Sequence, residues 1–308
     1  MKTWFKTLAA TCAILPVAFY AAQPASIALA KEPAAAEATV KVKPALWAVK
    51  DADTTVYLFG TVHVLKPGLS WFDGAVQKAF DKSDELVLEL VLPDDQSEVA
   101  KATLPIAMDQ SGKPLPQKLD PETLAAYQAT LTGLGLPANA FDAFEPWFAG
   151  VTLSVLPLTK HGYDPNQGVE KQLTAKAKAG AKPVSGFETL TEQLGFFDTL
   201  PEVEQVSFLK SVVKDIDKLG PQLDKMVLLW GKGDPDGLAV TMNESMEATP
   251  ELAKTLLFDR NARWADQIKT RMDKPGTVFV AVGAGHLAGE KSVQDYLAER
   301  GLKAQRIQ

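Results

Sequence analysis

The sequence predicts an α/β fold: a central mixed or mostly parallel sheet flanked by helices, with a long helical insertion. Three observations carry this. Strand-like runs cluster at both ends of the chain, within 45–62, 85–92 and 277–307. Between 94 and 257 the apolar residues recur at helical spacing. Neither end alone holds enough strands for a sheet, so the two ends are expected to pair around the insertion.

Residues 1–30 read as an export signal. Lys2 and Lys6 give a positive start, and 8–22 is apolar and uncharged but short for a membrane span. Ala28-Leu29-Ala30 then places small residues where a signal peptidase reads. Cleavage near Ala30 is expected to leave a periplasmic or secreted protein with no stable membrane anchor. The single cysteine, Cys12, lies inside the apolar run, so the mature chain has no thiol. That excludes a disulfide framework, a cysteine zinc site, an iron–sulfur site and a thiol nucleophile. Residues 31–44, rich in Ala, Glu, Lys and Pro, read as a linker to one domain over 45–308.

The elements of that domain follow in order. Runs at 45–50 and 54–62, separated by Asp51-Ala52-Asp53, predict an opening hairpin. Phe72, Ala75, Val76, Ala79 and Phe80 give a helical period over 72–82. The nearly continuous apolar run 85–92 suits a central strand covered on both faces. Asp120-Pro121 reads as an N-cap with proline at the first helical position. A long apolar helix is expected over 143–160, kinked or ended by Pro157. A helix over 168–179, a short strand over 182–185 and a helix from about 188 come next. Helices over 202–218 and 250–271 complete the insertion. The end returns to strand 277–282, a glycine turn, a helix over 289–300 stopped by Gly301, and a last strand over 302–307.

Acidic residues outnumber basic ones, 38 to 32, for a net charge of −6. That balance argues against a nucleic-acid partner and against electrostatic docking on anionic lipid.

Two of the three histidines share a context. Gly60-Thr61-Val62-His63 and Gly283-Ala284-Gly285-His286 each follow an apolar strand. The glycine permits a sharp exit, and the imidazole is expected at the carboxyl edge of the sheet, where open α/β sheets bind ligands. Glu89 lies inside Leu86-Val87-Leu88-Glu89-Leu90, a run that demands burial, so its carboxylate needs a partner such as a metal ion or a histidine. Meeting solvent or an arginine at the strand end is the other reading. Glu188 either joins the site or stabilises a helix N-terminus. Arg260-Asn261, in an amphipathic helix, either faces solvent or recognises an anion and supports a glutamate. His161 reads as a helix C-terminal cap. Two imidazoles and a carboxylate form a ligand set for a divalent transition metal such as Mn, Co or Zn. A bound water can then be a nucleophile, with a glutamate as base. No G-x-S-x-G, Walker loop, dinucleotide fingerprint or H-E-x-x-H occurs.

These residues resemble the TraB/PrgY/GumN family, also called Tiki-like. The resemblance runs from Leu46-Trp47 through Gly60-Thr61-Val62-His63-Val64-Leu65 and Glu89 to Tyr163-Asp164 and Gly168-Val169-Glu170. It continues through Phe187-Glu188-Thr189 with Gln193-Leu194, Arg260-Asn261, and Val282-Gly283-Ala284-Gly285-His286-Leu287. The family usually has Asp where this chain has Glu170, and Leu where it has Phe187. The resemblance implies an α/β fold related to erythromycin-esterase-like and ChaN-like proteins. In the Tiki branch the paired histidines and a glutamate are tied to metal-dependent proteolysis. By that match His63 and His286 are metal ligands and Glu89 a ligand or base. Other members are linked to peptide-pheromone shutdown or lie in polysaccharide gene clusters, and a ChaN-like relative binds haem. The expected function is an exported metal-dependent hydrolase acting on a peptide or protein, with Glu89, Glu188 and Arg260 in the catalytic machinery. A non-enzymatic haem- or metal-binding periplasmic protein is the alternative.

Overall fold

The computed structural model describes residues 39–246 and 250–308. The expected signal peptide and most of the expected linker lie outside the described residues. The protein is an α/β fold built on a six-stranded mixed sheet. In chain order the strands are β1 (Val40–Lys41), β2 (Leu46–Lys50), β3 (Thr54–Thr61), β4 (Leu69–Ser70), β5 (Glu85–Leu90), β6 (Val184–Glu188), β7 (Gly276–Gly283) and β8 (Gln305–Arg306). The main sheet runs β6-β5-β7-β3-β2-β8. Its first four members are mutually parallel; β2 is antiparallel to both of its neighbours. The two ends of the chain do pair: β3 lies beside β7 from Thr54↔Gly276 to Thr61↔Gly283.

Helix 74–82 links β4 to β5, and the insertion between β5 and β7 is mostly helical. It is fastened to the sheet by aromatic packing. Trp71 stacks on Phe59 of β3 at 5.7 Å between ring centroids, and Trp230 of the insertion meets Trp71 edge-on. Trp230 Nε1 also donates to the Gly60 carbonyl at 2.8 Å, so the insertion touches the strand just before the first histidine turn.

Several expected elements change form. Pro157 does not end its helix, which runs Pro146–Lys160 with Pro157 inside. Nearly every residue of that helix is buried and it packs on helix 202–214, so tertiary contacts outweigh the lost backbone bond. Glu188 closes β6 rather than opening a helix. Thr189 is the N-cap of helix 190–198 and Glu192 completes its capping box, so the N-terminal acidic role belongs to Glu192. Within the expected linker, Val40–Lys41 pairs with Leu69–Ser70 as a small parallel sheet. The helix expected over 250–271 carries a π turn at Lys254–Phe258 before continuing as Asp259–Met272. The helix expected from 289 begins at Val293 behind the Ser292 cap, and the last strand shortens to Gln305–Arg306. His161 does cap helix 146–160.

Candidate functional site

Because β3, β7, β5 and β6 are parallel neighbours, their carboxyl ends lie side by side. His63 follows β3, the 3₁₀ turn Ala284–Leu287 carries His286 beyond β7, Glu89 sits near the end of β5, and Glu188 ends β6. The two histidine turns touch: a Cβ on Gly60 would stand 3.0 Å from Ala284 Cα. Helix 259–272 supplies Arg260, Asn261 and Trp264 to the same place.

Arg260 is the centre, with no solvent exposure. Its Nη2 donates to Glu89 Oε2 at 2.6 Å and to Glu188 Oε2 at 2.7 Å, and its Nε lies 2.9 Å from Glu188 Oε1. Its Nη1 donates to the Leu256 carbonyl at 3.0 Å. That carbonyl belongs to the π turn, a distortion that recurs at functional sites. Trp264 Nε1 and Gln193 Nε2 also donate to Glu188, while the Gly283 amide donates to Glu89 Oε1 at 2.6 Å. Glu188 and Arg260 therefore belong to the cluster: Glu188 does not serve a helix N-terminus, and Arg260 does not face solvent.

His286 is buried, with Trp264 against its ring at 4.4 Å. Its Nδ1 lies 2.6 Å from Asn261 Oδ1; its Nε2 lies 3.4 Å from Arg260 Nη1 and 3.7 Å from Glu89 Oε1. On the other side, His63 Nδ1 lies 2.6 Å from Glu170 Oε1. The Thr61 hydroxyl donates to the same oxygen. Glu170 reaches this place because helix 169–179 starts against the first histidine turn, its Val169 amide donating to the Val62 carbonyl at 3.0 Å. Gly168 allows that approach: a Cβ there would land on the His63 carbonyl oxygen.

The charges are unequal. Burial raises the Glu89 carboxyl above its ordinary value, against the opposing pull of Arg260 and His63. Burial also acts on Glu170, but the charge of His63 and the hydrogen bonds from His63 and Thr61 outweigh it and hold that carboxyl down. Burial, followed by the charges of Arg260 and His63, pushes His286 well below the ordinary histidine range. For Arg260, Glu89 and Glu188 overcome burial and raise its pKa further.

His63, Glu89 and Glu170 open onto a groove of about 250 Å³. Leu90, Leu92 and Ala175 line it further along, with Asp94 and Lys178, ion-paired at 2.6 Å, beyond them. Arg260, Glu188 and His286 lie outside its lining, behind Glu89.

The donor set expected for Mn, Co or Zn is close together, but its arrangement does not fit an ion. Both Glu89 oxygens are engaged, by Arg260 and by the Gly283 amide, and the guanidinium stands beside His286 Nε2 where a shared cation would lie. Among the described residues no three His, Cys, Asp or Glu side chains are arranged to hold a metal. The residues that sequence reasoning left without a role are Glu170, Thr61, Gln193 and Trp264. Thr61, Glu170 and Gln193 stood within the family-like motifs and Trp264 outside them; nothing local marks Thr61 or Trp264 as a partner of a distant glutamate.

The sequence profile of the TraB/PrgY/gumN family matches residues 45–306. The chain is 24% identical over 241 residues to the uncharacterized protein YbaP of Escherichia coli (strain K12), covering 78% of this chain and 87% of that one. It is also 24% identical over 272 residues to an uncharacterized protein of Treponema pallidum (strain Nichols), covering 83% and 80% respectively.

Proposed function

The chain belongs to the TraB/PrgY/gumN family, and from that premise we propose that it is a hydrolase of peptide bonds working where His63 and Glu89 meet the groove. One observation carries this reading: a histidine held by a carboxylate and a second, differently tuned carboxylate open on the same cavity. Environments that push two carboxyls apart in pKa mark separate acid and base duties.

The chemistry follows from those positions. With Nδ1 engaged by Glu170, His63 takes a proton from water through Nε2 as the water oxygen bonds to the substrate carbonyl carbon. Glu89, which burial pushes toward its protonated form, gives its proton to the departing amine as the carbon–nitrogen bond breaks. The proton on His63 then passes to Glu89 and resets the pair. Arg260 does not line the groove; it is a positioning residue that holds Glu89 against Glu188.

The test is incubation of the purified protein with a defined mixture of unmodified peptides, with new termini read by mass spectrometry. His63→Ala and Glu89→Gln are expected to lower cleavage at least ~10²-fold, the usual contribution of a positioned acid or base. No cleavage by the wild-type protein, or equal cleavage by His63→Ala, overturns the reading; tight haem binding without cleavage moves it to a binding protein.

A metal-dependent form of the same reaction is favoured by one observation. Asn261 holds Nδ1 of His286, the outer-shell arrangement that orients a ligand histidine. It requires Arg260 to withdraw. Loss of cleavage in chelator, restored by Mn, Co or Zn, supports it; full cleavage in chelator removes it. We further propose export to the periplasm, on residues 1–30, to be checked by N-terminal sequencing of the native protein.

A further inference from the structure

Both imidazoles of the site have Nδ1 facing an acceptor whose chemistry leaves little choice about the proton. On the His286 side the deciding atom is remote. Asn261 Nδ2 donates to the Lys291 carbonyl at 2.8 Å. A carbonyl accepts and never donates, so this contact settles which end of the amide is nitrogen. Oδ1 is therefore the atom 2.6 Å from His286 Nδ1, and Nδ1 carries the hydrogen. The other nitrogen agrees. Its neighbour, Arg260 Nη1, can only donate, so Nε2 is an acceptor. Lys291 itself stands in an uncommon backbone state: its φ is +57°, one of two positive values among the described non-glycine residues. Strain of this kind persists where the surroundings dictate it.

On the His63 side, the Glu170 carboxylate accepts from the Thr61 hydroxyl and stands 2.6 Å from Nδ1. An ionised carboxylate has no proton to give, so Nδ1 carries the hydrogen here as well.

We propose that Glu170 and the Lys291–Asn261 pair are positioning residues that lock His63 and His286 as the Nδ1–H tautomer from opposite sides of the site, so that the basic nitrogen of each is Nε2: at His63 for the proton chemistry of the groove, at His286 for the contact with Arg260. The inference deepens the hydrolase reading but does not need turnover for its test. A locked tautomer spares the reaction the cost of selecting one, the service a triad carboxylate performs for its histidine.

The chain has three histidines, so a ¹⁵N-histidine-labelled sample gives three imidazole patterns in a long-range ¹H–¹⁵N spectrum. His161→Gln and His63→Gln assign them by absence. At a pH where both imidazoles are neutral, His63 and His286 are expected to show a protonated Nδ1 and an unprotonated Nε2. Nε2–H on the neutral ring of either residue overturns the proposal, and this wild-type result requires no variant to fold. Glu170→Leu is expected to release His63 alone to an Nε2–H or mixed pattern, with His286 unchanged; Glu170→Asp is expected to keep the lock. An unchanged His63 pattern in Glu170→Leu overturns the role of Glu170. If peptide cleavage has been found, Glu170→Leu is expected to lower its kcat about 10²-fold, with Glu170→Asp recovering most of it. Absence of cleavage with both locks intact removes the hydrolase reading and leaves this one standing.

Discussion

Gly60 of the first histidine turn packs directly against Ala284 of the second, with room for a hydrogen but not a methyl group. A Cβ on Gly60 would meet Ala284 Cα at 3.0 Å and its Cβ at 3.2 Å. The two motifs that look alike in sequence are thus in backbone contact, between the neighbouring strands β3 and β7. Gly60→Ala is expected to cost about 1–3 kcal/mol, the usual range for overpacking a closed site. Urea unfolding measures it, and a change below about 0.5 kcal/mol would show that the turns can part freely.

Gly168 makes a sharper case. A Cβ there falls on the His63 carbonyl oxygen, which is backbone and cannot swing away. Gly168→Ala is expected to push helix 169–179 off the turn and carry Glu170 from His63, lowering stability by more than about 1 kcal/mol. Gly133, exposed within helix 121–134 with nothing near its missing Cβ, is the control. Gly133→Ala is expected to stabilise by about 0.5–1 kcal/mol. Equal effects at the two glycines refute the argument from approach.

Arg260 is the single buried cation between Glu89 and Glu188. Its replacement by Leu takes the fully buried charge partner from both carboxylates, leaving Glu188 only the half-exposed Arg263 at 3.7 Å, at an expected cost of about 3–5 kcal/mol. Adding Glu188→Leu removes one of those charges and should recover part of the loss. Should the double variant prove less stable than Arg260→Leu alone, repulsion between uncompensated carboxylates is not the cause.

A second buried ion group, outside the site, contributes to behaviour in acid. Lys118 and Asp109 pair with side chains almost fully buried, and Glu202 joins Lys118 at 2.6 Å, with Glu145 at 4.0 Å. Burial raises the Asp109 carboxyl, but Lys118 and Ser111 more than offset it, so its pKa is below the ordinary 3.8. A lowered folded-state pKa contributes stability above the unfolded value and loses it as pH falls through the folded one. Glu145 is shifted up by burial, so its protonation comes first and brings no such loss. Stability is therefore expected to decline below pH 3.8, and Asp109→Asn should flatten that decline while lowering stability at pH 7. Parallel pH curves for the two proteins would count against this assignment.

What the sequence revealed of all this depended on whether the physics was local. The opening hairpin, the Asp120 cap and the buried strand around Glu89 rest on period and turn chemistry within a dozen residues, and they stand where expected. The helix does not end at Pro157 because its burial, a long-range fact, outweighs a local breaker. Glu188 was ambiguous because the helix boundary lay one residue on, at Thr189, within the ordinary uncertainty of helix ends. In the site, repeated glycine–histidine turns made His63 and His286 visible. Arg260 was harder to place, since an amphipathic pattern cannot say that the arginine faces inward toward two glutamates. The anchoring of His63 by Glu170 spans more than a hundred residues and leaves no periodic trace.

The pairing of β3 with β7 also sets a timetable. Thr54 hydrogen-bonds the Lys274 carbonyl across 220 residues, and Glu89 meets the Gly283 amide across 194. A contact of that span closes a very large loop, and although the entropy of closure grows only slowly with length, such pairings slow folding. His286 lies beyond β7, the last of the parallel strands in chain order. A ribosome must therefore release the polypeptide at least through His286 before the two histidine turns can meet. Until then no fragment holds both imidazoles, and any product truncated before β7 lacks the strand on which the others align. Whatever this site does, an unfinished or still-unfolded chain cannot do it.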